Sequence, residues 1–305
     1  MNEKRGLLFV FFTALISGFS IFVNKFGVSG INSSVFTFAK NMVVALVLFS
    51  VIMLFKEFKY LKELNKKQWG KLVCIGLFGG SIPFLLFFKG LSITSGAMAA
   101  FIHKTMFIFV AVFAFVFLKE KLNKGILIGG ALLIAGNLFL LRLKFVSFNI
   151  GDLLILIATL LWAVEFTISK NALKDIGSNV VAFGRMGMGS LFILLFLAFS
   201  GGVAEIGSLS LMQIAWIMIT SIFLFFFVFT WYSGLKYVKV STATCVLLLG
   251  SPITTMLSFA FLGAPLTIMQ GLGMLLIVGG VGIVISYVYI AAKIKKVFQL
   301  HTHNE

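Results

Sequence analysis

The sequence predicts an all-α membrane protein whose ten transmembrane helices form two inverted five-helix repeats. Three observations lead there. Of 305 residues, 60% are hydrophobic and 11% charged, with mean hydropathy +1.12. A soluble domain is about 45–50% apolar and about 25% charged. The apolar residues fall into runs of span length, about 20 residues each. The chain also matches itself at an offset near half its length. This composition excludes a soluble enzyme, a nucleic-acid-binding domain and a disordered chain.

Apolar length, punctuated by Gly, Pro, Asn and charge clusters, places the spans at 6–26, 34–55, 70–90, 94–118, 124–144, 151–172, 179–200, 211–233, 240–262 and 266–292. The first follows Lys4-Arg5 and continues to Val23 without a small-residue cleavage pattern, so it reads as an uncleaved span. The joins near Ser92 and Gly263 are tight. Cys74 and Cys245 lie in apolar runs with no Cys/His cluster, and neither a disulfide nor a metal site is expected.

Twenty-five Lys+Arg against nine Asp+Glu would suggest nucleic acid in a soluble protein. Here their distribution accounts for them. With an internal N-terminus, eighteen basic residues fall on one side: Lys4 and Arg5, six lysines across 56–71, and those of the 119–124, 170–174, 236–239 and 293–296 segments. Lys25, Lys89, Arg142 and Lys144 fall on the other, and Lys40, Lys104 and Arg185 within spans. Basic residues crowd cytoplasmic loops, so a multi-pass cell-membrane protein with both termini cytoplasmic is expected.

At an offset of 145, Gly6 matches Gly151, Lys25 matches Lys170, Ser33 matches Ser178, and Lys40 falls on Arg185. At 144, Gly90-Leu91 falls on Gly234-Leu235, and Gly129 and Gly136 on Gly273 and Gly280. The expected units are 1–147, 148–292 and a polar cytoplasmic tail, 293–305. Five spans per unit make the second copy enter from the opposite face, an arrangement typical of secondary transporters with a midplane site.

These positions carry a family resemblance. Asn24-Lys25 closes the first span, Lys40 opens the second and Gly90-Leu91 precedes the fourth. A Leu118-Lys119-Glu120-Lys121-Leu122 turn stands before the Gly-rich fifth span. Trp162, Arg185, Gly234-Leu235, Pro252, Gly273 and Gly280 complete the pattern in the second half. Over about 6–290 the chain resembles the EamA-type transporters of the drug/metabolite transporter superfamily. The resemblance implies transport of a small metabolite. One departure is Ala264, where the family usually has Glu.

Charges within spans cost about 2.5–3.5 kcal/mol and mark functional sites. Glu165 and Lys104 lie about 20 Å and about 15 Å below the outer ends of their spans, counting about 1.5 Å per residue. Their opposite signs suggest an ion pair or a shared polar cavity. Trp162, Glu165 and Ser169 share one helical face, and an aromatic beside a carboxylate suits an organic cation or amine. His103, next to Lys104, is read as a hydrogen-bonded or proton-relaying imidazole. Lys40 and Arg185 read as snorkelling to the interface, Lys25 and Lys170 as anchors, and Trp231 and Tyr232 as an interfacial aromatic belt. Pro83, after Gly79-Gly80-Ser81, and Pro252, after Gly250-Ser251, interrupt helical hydrogen bonding and are the expected gating points. The glycines of spans five and ten read as close helix packing, with a homodimer face as the alternative.

The expected function is secondary transport of a small polar or amphipathic metabolite, an amino acid or related amine, by alternating access. No P-loop supplies ATP drive, so the energy comes from the substrate's gradient or a coupled proton or ion. The expected partners are the substrate and the lipid bilayer, without nucleic acid. No cofactor or metal is expected. The other readings are an intramembrane enzyme acting on lipid-linked substrates, which needs a nucleophile with its base or clustered metal ligands, and a channel, which needs a charged ring or filter.

Overall fold

The computed structural model describes residues 2–28, 30–141 and 148–301, the last twelve as backbone only. Ten helices are long and apolar enough to cross a membrane. They are α1 (Asn2–Gly27), α2 (Ser33–Leu54), α3 (Lys66–Leu91), α4 (Gly96–Leu118), α5 (Lys124–Leu141), α6 (Ile150–Ala172), α7 (Ser178–Ser200), α8 (Leu211–Leu235), α9 (Val240–Leu262) and α10 (Ile268–His301). Arg142 and Lys144 lie outside the described residues. Within the segment read as a polar tail, α10 runs on to His301, and residues 302–305 lie outside the described set.

Side-chain caps mark the starts that water would otherwise fray. Asn149 and Asp152 form a capping box on α6, Ser210 and Gln213 on α8, and Asn65 and Gln68 on α3. At the end of α8, Lys170 Nζ donates to the Leu235 and Val238 carbonyls at 2.7 Å each. Those carbonyls have no helical donor left, so this lysine serves as a C-terminal cap as well as an anchor.

The two repeats interleave. Helix α1 packs along α8 and α9, and its counterpart α6 along α3 and α4; α2 packs on α7, and α5 on α10. Each contact maps onto itself or another when the repeats are exchanged. The glycines make this exact at the backbone level. A Cβ on Gly6 would crowd Gly234, and one on Gly151 would crowd Gly90, which is the exchanged pair. Gly129 meets Gly280 and Gly136 meets Gly273 in the same reciprocal way. In hydrocarbon, where lipid is as apolar as Leu, such close backbone approach supplies the packing that holds helices together. Gly129, Gly136, Gly273 and Gly280 therefore serve the intrachain α5–α10 seam, and the other four serve the α1–α8 and α3–α6 contacts.

A branched side chain at that seam has no room, since a Cβ at Gly136 would stand 2.8 Å from the Gly273 carbonyl oxygen. Gly136→Val should destabilise by about 1–3 kcal/mol, the usual cost of overpacking. Gly279→Val, at a position with nothing within 4 Å, should leave the thermal melt of the detergent-purified protein nearly unchanged.

Candidate functional site

The site begins with a helix that cannot close its ladder. Between Lys66–Ile75 and Ile82–Leu91, residues Gly76–Ser81 widen into a π turn, and the Ile82 N–H bonds the Leu77 carbonyl five residues back. Pro83, next in the chain, has no N–H with which to continue that ladder. Within the turn, the Gly79 carbonyl accepts from Trp162 Nε1 on α6 and from Arg185 Nη2 on α7, both at 3.2 Å. The neighbouring Gly80 carbonyl accepts from Asn41 Nδ2 on α2 at 2.9 Å. Broken backbone is tolerated at membrane depth where neighbours satisfy it, and here three helices do so.

Glu165 stands against this break and is fully buried. A Cβ on Gly79 would come within 2.5 Å of the Glu165 Cγ, so only glycine admits the carboxylate there. Its Oε1 accepts from Ser169 Oγ at 2.5 Å and from Tyr232 Oη at 2.8 Å. Its Oε2 has no partner among the described residues. Arg185 is 5% exposed and interacts electrostatically with Glu165 and Tyr232 without closing to a direct ion pair. Nε and Nη1 of Arg185 are buried and unpartnered among the described residues.

The structure thus redistributes the residues singled out in the sequence. Trp162, Glu165 and Ser169 do share one buried face. Lys104 does not pair with Glu165, and among the described residues it makes no hydrogen bond or ion pair. The reason is depth. Lys104 lies eight residues into α4 and Glu165 fifteen into α6, about 12 Å and about 22 Å below the same face. Arg185, seven residues into the opposite-running α7, shares the level of Glu165. Reading Arg185 as a snorkelling residue and Tyr232 as a belt aromatic therefore missed two members of the cluster. Arg185 stands seven residues inside α7 and Tyr232 only three from the end of α8, so depth along a single helix did not single them out. Lys40 does turn toward the near face, where its Nζ donates to Asn24 Oδ1 at 2.5 Å and lies 4.7 Å from the Phe36 ring centroid.

His103 meets Trp162 edge-on at 4.9 Å and Phe87 at 5.7 Å, and Phe84 packs on Trp162 at 5.2 Å. Nδ1 of His103 is buried without a partner among the described residues. Pro252 stands four residues after Leu248, and α9 breaks there, at Leu248–Leu249. Helix α4 also breaks, at Thr105, the repeat equivalent of Leu249, and no proline announces it. Among the described residues no group of three or more His, Cys, Asp or Glu is placed to hold a metal.

A helical membrane protein of interleaved repeats, with a buried charge cluster between them, has the architecture of a transporter. The chain matches the EamA-like transporter family twice, over residues 4–142 and 149–286, and it belongs to that family. It is 25% identical to the uncharacterized transporter YyaM of Bacillus subtilis, over 76% of this chain and 77% of that one. It is 26% identical to an uncharacterized transporter of Clostridium kluyveri, over 93% of each. It is 24% identical to the riboflavin transporter ImpX of Fusobacterium nucleatum, over 67% of this chain and 71% of that one. A crystal structure with 18% identity superposes with a TM-score of 0.78, covering 92% of this chain and 97% of that one, which shows the shared fold.

The Gly79–Glu165 contact is directly testable. Gly79→Ala should lower the melting temperature by an amount equivalent to about 1–3 kcal/mol, whereas Gly207→Ala, where a Cβ meets nothing within 4 Å, should leave it nearly unchanged.

Proposed function

We propose that this protein is a secondary carrier rather than an enzyme or channel. It moves a small polar or amphipathic metabolite, an amino acid or related amine, by alternating access and without ATP. It sits in the cell membrane with both termini cytoplasmic. One observation carries this reading: the cluster between the repeats buries a carboxylate oxygen on Glu165 and guanidinium nitrogens on Arg185 that have no hydrogen-bond partner among the described residues. A buried unsatisfied group costs about 1–3 kcal/mol, more when charged. An ammonium on Glu165 Oε2 and an acidic group on Arg185 would each relieve that cost, with Trp162 as the apolar wall.

The faces support alternation. On the face carrying the chain N-terminus, Glu120 of the first repeat caps α9 of the second. It accepts from the Val240 N–H at 3.0 Å and from Ser241 Oγ at 2.7 Å. On the other face, Thr94 of the first repeat donates to Asp152 of the second at 2.5 Å. Both contacts are closed at once here, and Glu165 is fully buried. Opening either side requires releasing one contact and keeping the other.

Two measurements test this. In proteoliposomes, the wild type should show saturable uptake and counterflow of one member of a metabolite library that includes amino acids, amines and riboflavin. Glu165→Gln should reduce that transport at least about ten-fold, the effect of losing one charged interaction, while folded protein still inserts. Undiminished transport by the variant would reject the site. Cys245, buried and near the Glu120-capped start of α9, reports opening of that face. In a Cys74→Ala background, Glu120→Gln should speed thiol labelling of Cys245 by about ten-fold, and Asp152→Asn should not.

A further inference from the structure

Within the ten spans, away from their ends, stand three bases, Lys40, Lys104 and Arg185, and one acid, Glu165. Arg185 has Glu165 as its electrostatic partner and the Gly79 carbonyl as its acceptor. Lys40 has Asn24 and the Phe36 face. Lys104 has neither acid nor acceptor among the described residues, yet it lies about 12 Å into the membrane at the break of α4. An isolated ammonium at that depth is costly unless it meets a counter-charge or water. Among the described residues no carboxylate lies within the membrane at its level, because Glu165 is about 10 Å deeper.

We propose that Lys104 is an anion station, separate from the Glu165–Arg185 cluster, which takes the carboxylate or phosphate of the transported molecule. This rests on the carrier reading above and narrows it: the substrate is an acid or zwitterion, and a simple amine is not carried. The preceding residue, His103, has a buried Nδ1 without a partner among the described residues, on a side of the helix about 100° from Lys104. Its ring and those of Trp162 and Phe87 form an apolar wall, which strengthens any charge interaction beside it by excluding water. Trp162 joins the two stations. One part of it faces His103, and its Nε1 shares the Gly79 carbonyl with Arg185. An anionic group thus meets Lys104 first from the face opposite the N-terminus and Arg185 about 10 Å further on. In the repeat, Lys104 falls on Leu248, so the second half has no matching station.

The test uses the purified full-length protein and a thermal-shift panel. It contains free amino acids, monocarboxylates and phosphate monoesters, each beside the analogue that lacks the anion: the methyl ester or amine for a carboxylic acid, the parent alcohol or amine for a phosphate monoester. Compounds that stabilise the wild type should all carry an anionic group, and their esters and amines should not stabilise it. Carboxylates alone or phosphate esters alone within that set identify which anion the station takes. Lys104→Gln should raise the half-saturating concentration by about ten-fold or more, and Lys104→Arg should retain most of the affinity. Stabilisation by esters or amines as strong as by the acids overturns the proposal, as does an unchanged response in Lys104→Gln or a panel that shifts nothing. Anion-dependent stabilisation without counterflow in liposomes would reject the carrier reading and leave the station standing.

Discussion

One missing N–H organises the centre of this molecule. Pro83 cannot continue the α3 ladder past the π turn, and a carbonyl left open in a membrane interior must find a donor or cost free energy. Trp162 and Arg185 supply it from two helices of the other repeat. Arg185 is then held at one depth in α7, and Glu165 occupies the space that the absent Gly79 side chain leaves. A defect in α3 thus fixes where the second repeat places its charges. The repeats are joined at the centre by polar bonds and at the α5–α10 seam by glycine packing.

The two halves share a backbone plan and differ in chemistry. Under the repeat, Glu165, Ser169 and Arg185 fall on Ser20, Asn24 and Lys40. The second half therefore has a carboxylate between hydroxyls and a guanidinium, while the first has a lysine answered by an amide. Tyr232 falls on Phe88, which has no hydroxyl to donate. The loops differ likewise, since Glu120 caps α9 and its repeat equivalent is Ala264, which cannot cap α4. Symmetric scaffolding with asymmetric polar content means that the two faces carry different bonds between the repeats, Glu120 to Ser241 on one and Thr94 to Asp152 on the other.

Much of this was legible in the residues themselves. Span number follows from apolar run length, because hydrocarbon thickness sets a length that no local preference alters. The inverted arrangement follows from the odd count per repeat and the matched Gly and Lys/Arg positions. Pro83 and Pro252 locate their breaks because proline acts on its own helix, through the carbonyl four residues back. Trp162, Glu165 and Ser169 share a face for an equally local reason, the pitch of one helix.

What required the fold was every choice of partner between helices. Glu165 and Lys104 have opposite charges, and charge alone would pair them, but side chains meet only where helices bring them to one level. Arg185 and Tyr232 reach that level from α7 and α8, and Lys104 does not. The α4 break at Thr105 is in the same category: no proline or glycine pair stands there. Sequence by itself determined the spans, the repeat and the proline breaks, since each is set within one helix or by the thickness of the bilayer. Tertiary structure alone decided which charges meet, because that depends on the depth and rotation of each helix against its neighbours.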